Sequence, residues 1–434
     1  MPSLSPPQSE PAQQDASRFR KLQSLGILSG FTAGAWLGAA EAPTKLVSIG
    51  VSPIVISLIM VIGVFLARWG LPALILGTSS IRDDVRRAPH LVIWAILAGC
   101  LWAVANTLTI FAIRDIGLSI AFPLWNSNSI LGIFWGVLFF NELRQAGWRR
   151  WAGVIGGALV MCAGATLLAV ASSSQAPAAH PLRGVAAALG AGVLWGTMYI
   201  PYRKAYLTGM NPLCFVTFFT FGELGMMAAL ALSYTGAARL WQELLTARDV
   251  LFWLMLGGLI WVIGDLFQQY AAKYVGISRG IPLSNTNQLW GLLWGIFVFG
   301  ELHGRGISLF AQVIGGSLLM LLGVAAIASS SATGSEQALW RQAAQREASR
   351  YGIAADYVDA RMHGRSLAGE QKPPRSGLDW VLVIGATSIL VIFATMARVP
   401  QVPANWAPAI GLSAASLALF VVCGLKLYRT TGFH

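Results

Sequence analysis

The sequence predicts an all-α polytopic membrane protein: a ten-helix bundle of two inverted five-helix repeats, followed by two extra C-terminal transmembrane helices. Three observations predict it. The chain is 56 % hydrophobic and 11 % charged over 434 residues, far too apolar for a soluble protein of that length. Apolar runs of about 20 residues recur, each long enough at ~1.5 Å per residue to cross a ~30 Å hydrocarbon layer. One such run is written twice: GLSIAFPLWNSNSILGIFWGVLFFNEL at 117–143 returns as GISRGIPLSNTNQLWGLLWGIFVFGEL at 276–302, with 12 of 27 positions identical at an offset of 159 residues.

The offset reaches well beyond that run. It pairs Trp36 with Trp195, Lys45 with Lys204, Pro53 with Pro212, Trp94 with Trp253, Trp102 with Trp261, and Gly156 and Gly157 with Gly315 and Gly316. The expected spans are 25–44, 53–78, 90–112, 118–140 and 150–172 in a first repeat of residues 25–173. A second repeat, 182–330, holds 184–202, 212–234, 250–271, 277–299 and 307–330. Five spans per repeat is an odd number, so the second copy enters the membrane upside down relative to the first. Alternating access follows naturally from that arrangement.

Residues 1–24 are polar, rich in Pro, Gln and Ser, and read as a disordered cytoplasmic tail; the apolar run behind them is too long for a signal core. Loop charge sets the orientation. With the amino terminus inside, Arg18, Arg20, Lys21, Arg82, Arg86, Arg87, Arg144, Arg149 and Arg150 fall on the inner side, against Lys45, Arg114 and Arg183 outside. In the second half Arg203, Lys204, Lys273 and Arg279 fall inside, against Arg239, Arg248 and Arg305. Residues 331–377 add seven basic residues between positions 341 and 375, and read as a charged cytoplasmic linker with one or two short helices against the membrane surface. Two apolar runs within 378–428 then return the carboxyl terminus to the inner side. The expected location is the cell inner (plasma) membrane, multi-pass, with both termini cytoplasmic.

Several functions are excluded. The net charge of +12 belongs to loops that orient helices, and no basic and aromatic platform for nucleic acid stands outside the spans. Cys100, Cys162, Cys214 and Cys423 are scattered singly, and no histidine lies in the interior of a span, His90 standing at the head of one, so neither a metal nor another cofactor is expected. With no nucleophile and base pair and no phosphate loop, the chain does not read as an enzyme.

Polar residues interrupt the repeated run at matching places: Pro123 with Asn126 and Asn128, Pro282 with Asn285 and Asn287. Carboxamides and a freed carbonyl are tolerable in a bilayer where they face the bundle interior or a wet cavity, and a broken helix in each half points to a binding site. Residues two apart differ by ~200° around a helix. The helix is therefore either locally opened, or one Asn of each pair serves packing. Asn126 and Asn285 are favoured for the cavity, with an interhelical hydrogen bond as the alternative. Gly132 and Gly136, and Gly291 and Gly295, are spaced for close helix packing. Glu142 and Glu301 read as caps or as partners of Arg149, Arg150 or Arg305.

Away from the first and last three residues of each span, four charged residues remain: Glu41, Arg68, Glu223 and Asp265. A charge at a helix centre costs ~2.5–3.5 kcal/mol on insertion scales, so each needs a partner or a task. Arg68 and Glu223, at comparable depth in the second helix of each half, read as a structural ion pair. Asp265 aligns with Asn106 and stands just before Gln268 and Gln269.

The fourth helix of each half ends in a small or polar residue followed by Glu-Leu, Asn141-Glu142-Leu143 and Gly300-Glu301-Leu302. With the inverted five-helix halves, this resembles the drug/metabolite transporter superfamily. Within it the chain is most similar to the glucose/ribose porter and rhamnose transporter branch. GVLWGTMYIPYRK at 192–204 resembles that branch's half-opening helix, and GGLIWVIGDLFQQY at 257–270 its eighth helix. The likeness covers about residues 25–330 and departs in two places: the two extra helices, and EAPTK in the first helix where the sixth has YIPYRK.

The resemblance implies a secondary active or facilitative transporter of a small polar metabolite, a sugar foremost, working by alternating access. Substrate-binding is expected of Asn126, Asn285, Asn106, Gln268, Trp195, Tyr199, Asn128 and Asn287, the aromatic rings stacking on sugar faces. Proton coupling is expected of Asp265, and of Glu41 by likeness to the small exporters of the superfamily. The implied partners are the sugar or similar metabolite, a proton, the lipid bilayer and a second copy of the chain as a homodimer. Two alternatives stay open: a proton-coupled exporter of drugs or amines, and a non-transporting membrane sensor or scaffold engaged through residues 331–434.

Overall fold

The computed structural model describes residues 10–40, 42–47, 51–116, 121, 124–125, 127–172, 180–300, 306–366, 375–399 and 403–433. Helices α1 (Glu10–Ala39), α2 (Pro53–Ile75), α3 (Thr78–Arg87), α4 (His90–Ile116), α5 (Asn128–Phe140), α6 (Trp148–Ser172), α7 (Pro181–Leu207) and α8 (Pro212–Thr235) come first. Then follow α9 (Ala237–Thr246), α10 (Leu251–Val275), α11 (Ile277–Ser284), α12 (Asn287–Leu293), α13 (Ile307–Ser329), α14 (Gly334–Tyr351), α15 (Ala355–Met362), α16 (Gly377–Met396) and α17 (Trp406–Thr431).

Among the described residues nine helices, α2, α4, α6, α7, α8, α10, α13, α16 and α17, are long and apolar enough to cross a membrane. The protein is thus an all-α polytopic membrane protein of about nine spanning helices. Three expected spans are absent from that set. Most of the run 25–44 belongs to α1, which ends at Ala39, ahead of a separate turn of helix Ala42–Lys45, and continues back to Glu10 into the stretch read as a disordered tail. The run 118–140 falls partly outside the described residues, leaving α5. The run 277–299 is divided into α11, a turn at Asn285 and Thr286, α12, and a π-helical turn Trp294–Val298.

Local sequence explains the boundaries. Pro53, Pro181 and Pro212 each open a helix in the first turn, where a missing N–H costs nothing. α5 ends on Asn141 at φ 56°, and Gly300, its repeat counterpart, sits at φ 65°. Only Gly and Asn take that left-handed position readily, which accounts for the small or polar residue before each Glu-Leu. The tight end lets the Glu142 N–H donate back to Gly136 O at 3.0 Å and turns the Glu142 side chain inward.

α4 packs along α7 and α8, α10 along α1 and α2, and α6 along α13. α5 lies on α7, α12 lies on α1, and α16 and α17 flank α2 and α1 at the periphery. Hydrogen bonds identify the two ends of the bundle. At one, the Arg18 guanidinium donates to the carbonyls of His363, Gly364 and Thr430 at 2.8, 2.9 and 3.2 Å, and the Asn211 amide donates to Phe433 O at 2.7 Å. This end, called here the Arg203 end, also carries α3, α14 and α15. At the other, the Asp115 end, Arg183 holds Asp115 at 2.5 Å and Arg114 donates to the Tyr234 hydroxyl at 2.8 Å.

Candidate functional site

The strongest polar feature of the interior is a charge cluster shared by α2, α8 and α10. Arg68 donates through Nη1 to Glu223 Oε2 and through Nη2 to Asp265 Oδ2, each at 2.7 Å, with all three side chains shielded from solvent. The guanidinium lies 4.5 Å from the Phe219 ring centre and 5.1 Å from that of Trp261. Its flat, weakly hydrated cation suits both the forked pairing and the ring faces. Asp265 also accepts from Gln269 Nε2 at 2.7 Å, and the Tyr206 hydroxyl donates to Gln269 Oε1. Both oxygens of Asp265 are thereby engaged. Glu223 keeps Oε1 without a partner, as do the nearby buried hydroxyls of Thr220 and Tyr202.

The broken helix forms the second part of the site. Pro282 has no N–H to give to the helix ladder, and at the break the Asn285 N–H makes long bonds to Ile281 O and Pro282 O, 3.3 and 3.2 Å. The Asn285 amide donates to Ser129 Oγ at 2.6 Å, and that hydroxyl donates to Asn128 Oδ1 at 3.3 Å, so the two Asn-x-Asn stretches are linked across the bundle. Gln268 donates to Ser284 Oγ at 2.6 Å just before the break. Asn287, on the other side of the opened turn, has a buried Oδ1 with no partner.

Of the remaining sequence-selected residues, Trp195 is half-buried with an unpartnered indole N–H, edge-on to Trp125 at 6.3 Å. Tyr199 is buried against Tyr202, and Asn106 is half-buried in α4. Asn126 and Glu41 lie outside the described residues. The break itself rests on α1 through Gly30, Gly34 and Gly38. A Cβ on Gly34 would stand 1.9 Å from Thr286 Oγ1, and one on Gly38 2.4 Å from Asn287 O. This glycine spacing, legible in the sequence at intervals of four, seats the opened turn against bare backbone.

The third part lies at the Arg203 end. Glu142, fully buried, accepts from the N–H groups of Ile277 and Ser278 at 3.2 and 2.9 Å and pairs with Arg203 Nε at 2.9 Å. It caps α11, the broken helix of the other half, rather than pairing with Arg149 or Arg150 nearby in sequence. Gly276 permits this: at φ 85° it takes the left-handed turn, and a Cβ there would come within 2.7 Å of the Glu142 carboxylate. Arg279 forks onto Glu336 of α14 at 2.8 and 3.0 Å, and Glu336 also accepts from the Leu143 N–H at 2.8 Å. The Arg203 guanidinium stands over the Trp340 ring at 4.6 Å, and Lys204 reaches Glu347 at 3.6 Å. Charges that read as loop residues are thus buried beneath α14.

Spanning helices, a helix opened part-way along, interior carboxamides and buried ion pairs at one end together define a multi-pass membrane transporter. The sequence profile of the sugar transport protein family matches residues 25–171 and 188–353, most of the chain and all three parts of this site. The chain belongs to that family, and it is a membrane transporter for a sugar-like small molecule, not an enzyme. Relatives agree at a distance. A protein of Listeria innocua named "Putative sugar uptake protein" is 24 % identical over 232 residues, covering 52 % of this chain and 75 % of its own. A "Probable glucose uptake protein GlcU" of Staphylococcus aureus is 24 % identical over 248 residues, covering 54 % of this chain and 76 % of its own.

Proposed function

We propose that the protein is a secondary carrier that moves a sugar across the plasma membrane by alternating access between two inverted five-helix repeats, in the manner of the drug/metabolite transporters. The observation that carries this reading is the way helix packing exchanges under the 159-residue offset. α4 on α7 is the counterpart of α10 on α1, α4 on α8 of α10 on α2, and α5 on α7 of α12 on α1. The α6–α13 and α2–α8 pairs map onto themselves. Two such halves have two equivalent ways to tilt, one closing each end.

In this reading the Arg203 end is the closed gate. Glu142–Arg203 and Arg279–Glu336 latch it, α14 lies beneath it on the cytoplasmic side, and both pairs part when the carrier turns over. The sugar is a hexose, in keeping with the name of the glucose uptake relative. Asn287, Asn128, Trp195, Tyr199 and Asn106 are offered to it directly. Asn285 and Gln268 exchange Ser129 and Ser284 for sugar hydroxyls.

The charge cluster supplies the proton site. Two carboxylates on one guanidinium leave one excess negative charge, which a single proton removes. Asp265 has no free oxygen, so the proton enters on Glu223 Oε1 and loosens the grip of Arg68 on the pair. Uptake of labelled monosaccharides into proteoliposomes tests the account. It expects saturable uptake that an inward proton gradient raises and that Glu223→Gln renders indifferent to the gradient. Uptake indifferent to the gradient in the unaltered protein removes the proton step; no uptake of any monosaccharide removes the sugar carrier.

A further inference from the structure

Directly beneath the gate lies a small, partly open cavity of about 30 Å³, lined by Arg203, Lys273, Tyr274, Trp340, His363 and Gln337 among others, with no acidic residue among the described residues of its wall. Lys273 is 6 % exposed, and its Nζ is fully buried without a hydrogen-bond partner. Asp84 attracts it from a distance, but no nearby charge hydrogen-bonds to it. Arg361 repels it, and Asp84 is occupied by the Asn211 N–H at 2.9 Å and the Tyr357 hydroxyl at 3.0 Å. Arg203 spends Nε on Glu142 and Nη1 on the carbonyls of Ala272 and Lys273, but its Nη2 is buried and unpartnered. His363 is already spent: its Nε2 faces Arg341 Nη2 at 2.7 Å and its Nδ1 faces Asp359 O at 2.8 Å.

We propose that this cavity is a binding site for one small inorganic anion, held between Lys273 Nζ and Arg203 Nη2. A buried ammonium left alone is strongly disfavoured, and it is relieved either by losing its proton or by acquiring an anion. The second free donor decides between them, because a guanidinium keeps its charge in any protein environment and cannot be relieved by deprotonation. The volume fits a halide better than a larger metabolite; it exceeds the ~10–15 Å³ that one water needs. Its walls come from α1, α7, α10, α14 and α15, so an anion there ties the α14–α15 segment to the bundle.

The test uses purified full-length protein in sodium gluconate at fixed ionic strength, titrated with chloride, bromide or phosphate. Chloride and bromide are expected to raise the unfolding temperature saturably by about 2–4 °C. Lys273→Met should show no such rise, and in gluconate should be at least as stable as the unaltered protein, having lost an unpaired charge. A response to phosphate alone, lost in Lys273→Met, assigns the site to an oxyanion instead of a halide and still supports it. Should Lys273→Met not fold, chloride NMR line broadening by the unaltered protein decides: broadening that saturates and is displaced by bromide supports the site. Equal shifts in both proteins, or neither a shift nor saturable broadening in the unaltered one, overturn it.

Discussion

Arg68 Nη1 and Glu223 Oε2 stand 2.7 Å apart with no solvent reaching either side chain, and the second fork of the same guanidinium holds Asp265. Removing the cation strands two carboxylates in the interior. Arg68→Met is therefore expected to cost about 3–5 kcal/mol, read as a lowered unfolding temperature in detergent. Arg68→Met combined with Glu223→Leu and Asp265→Leu should recover most of that loss, because an apolar replacement of the whole cluster leaves no charge unpaired. A triple variant no more stable than Arg68→Met would show that the cluster is not the source of the cost.

Glu142 is both cap and counter-ion, and its variants separate the two tasks. Glu142→Gln keeps an oxygen for the Ile277 or Ser278 N–H but leaves Arg203 uncompensated; Glu142→Ala loses both. The expected order of unfolding temperatures is unaltered protein, then Gln, then Ala, with the Ala variant down by about 3–5 kcal/mol. Equal losses in the two variants would assign the whole effect to the charge.

The glycine seat on α1 leaves no room for a side chain. Gly34→Ala must displace Thr286, and Gly34→Leu must push α1 away from the opened turn. Both should lower stability, Leu by well over the ~1–3 kcal/mol typical of overpacking, with transport lost first. Gly315→Ala is the control, since nothing lies within 4 Å of a Cβ there. A Gly34→Leu variant with normal uptake would mean that the break does not rest on α1 during transport.

At the Asp115 end, Glu243 of α9 accepts from Ser52 N–H and Oγ–H at 2.8 and 2.6 Å and from Arg239 at 2.8 Å, capping α2. Burial pushes the Glu243 carboxyl up, and the hydrogen bonds from Ser52, with those from Arg239, outweigh it, leaving the group below the ordinary glutamate value. A lowered carboxylate contributes stability above its unfolded pKa of ~4.3 and loses it as pH falls through the folded value. Unfolding temperature measured across the acid range should thus drop more steeply for the unaltered protein than for Glu243→Gln. Parallel curves would contradict the cap.

Much of this was readable in advance, for physical reasons. Hydropathy marks the spans because a bilayer tolerates little else, and Pro282 with Asn285 and Asn287 marks the opened turn because each breaks or competes with the helix ladder. Arg68, Glu223 and Asp265 were visible as charges out of place. That Asp265 shares Arg68 with Glu223 was not, since it depends on how α10 lies against α2 and α8. Arg203, Lys273 and Arg279 looked like solvated loop charges; the docking of α14, with α1 and α15 around Arg203 and Lys273, covers them, and Glu336 sits in a stretch whose composition reads as surface. Glu142 finds its partners 61 and 135 residues away, beyond any local pattern. The four-residue glycine spacing on α1 was in plain view, but nothing in α1 says which helix it receives.

The proposed gate at the Arg203 end is the element on which the account turns, and one cross-link tests it. Lys204 and Glu347 lie 3.6 Å apart across the α7–α14 contact. Lys204→Cys with Glu347→Cys, joined by a short reducible cross-linker, pins α14 in the closed arrangement. Proteoliposomes carrying the linked protein are expected to lose sugar uptake and to regain it on reduction. Full uptake with the link in place would contradict a closure that has to open for sugar to pass.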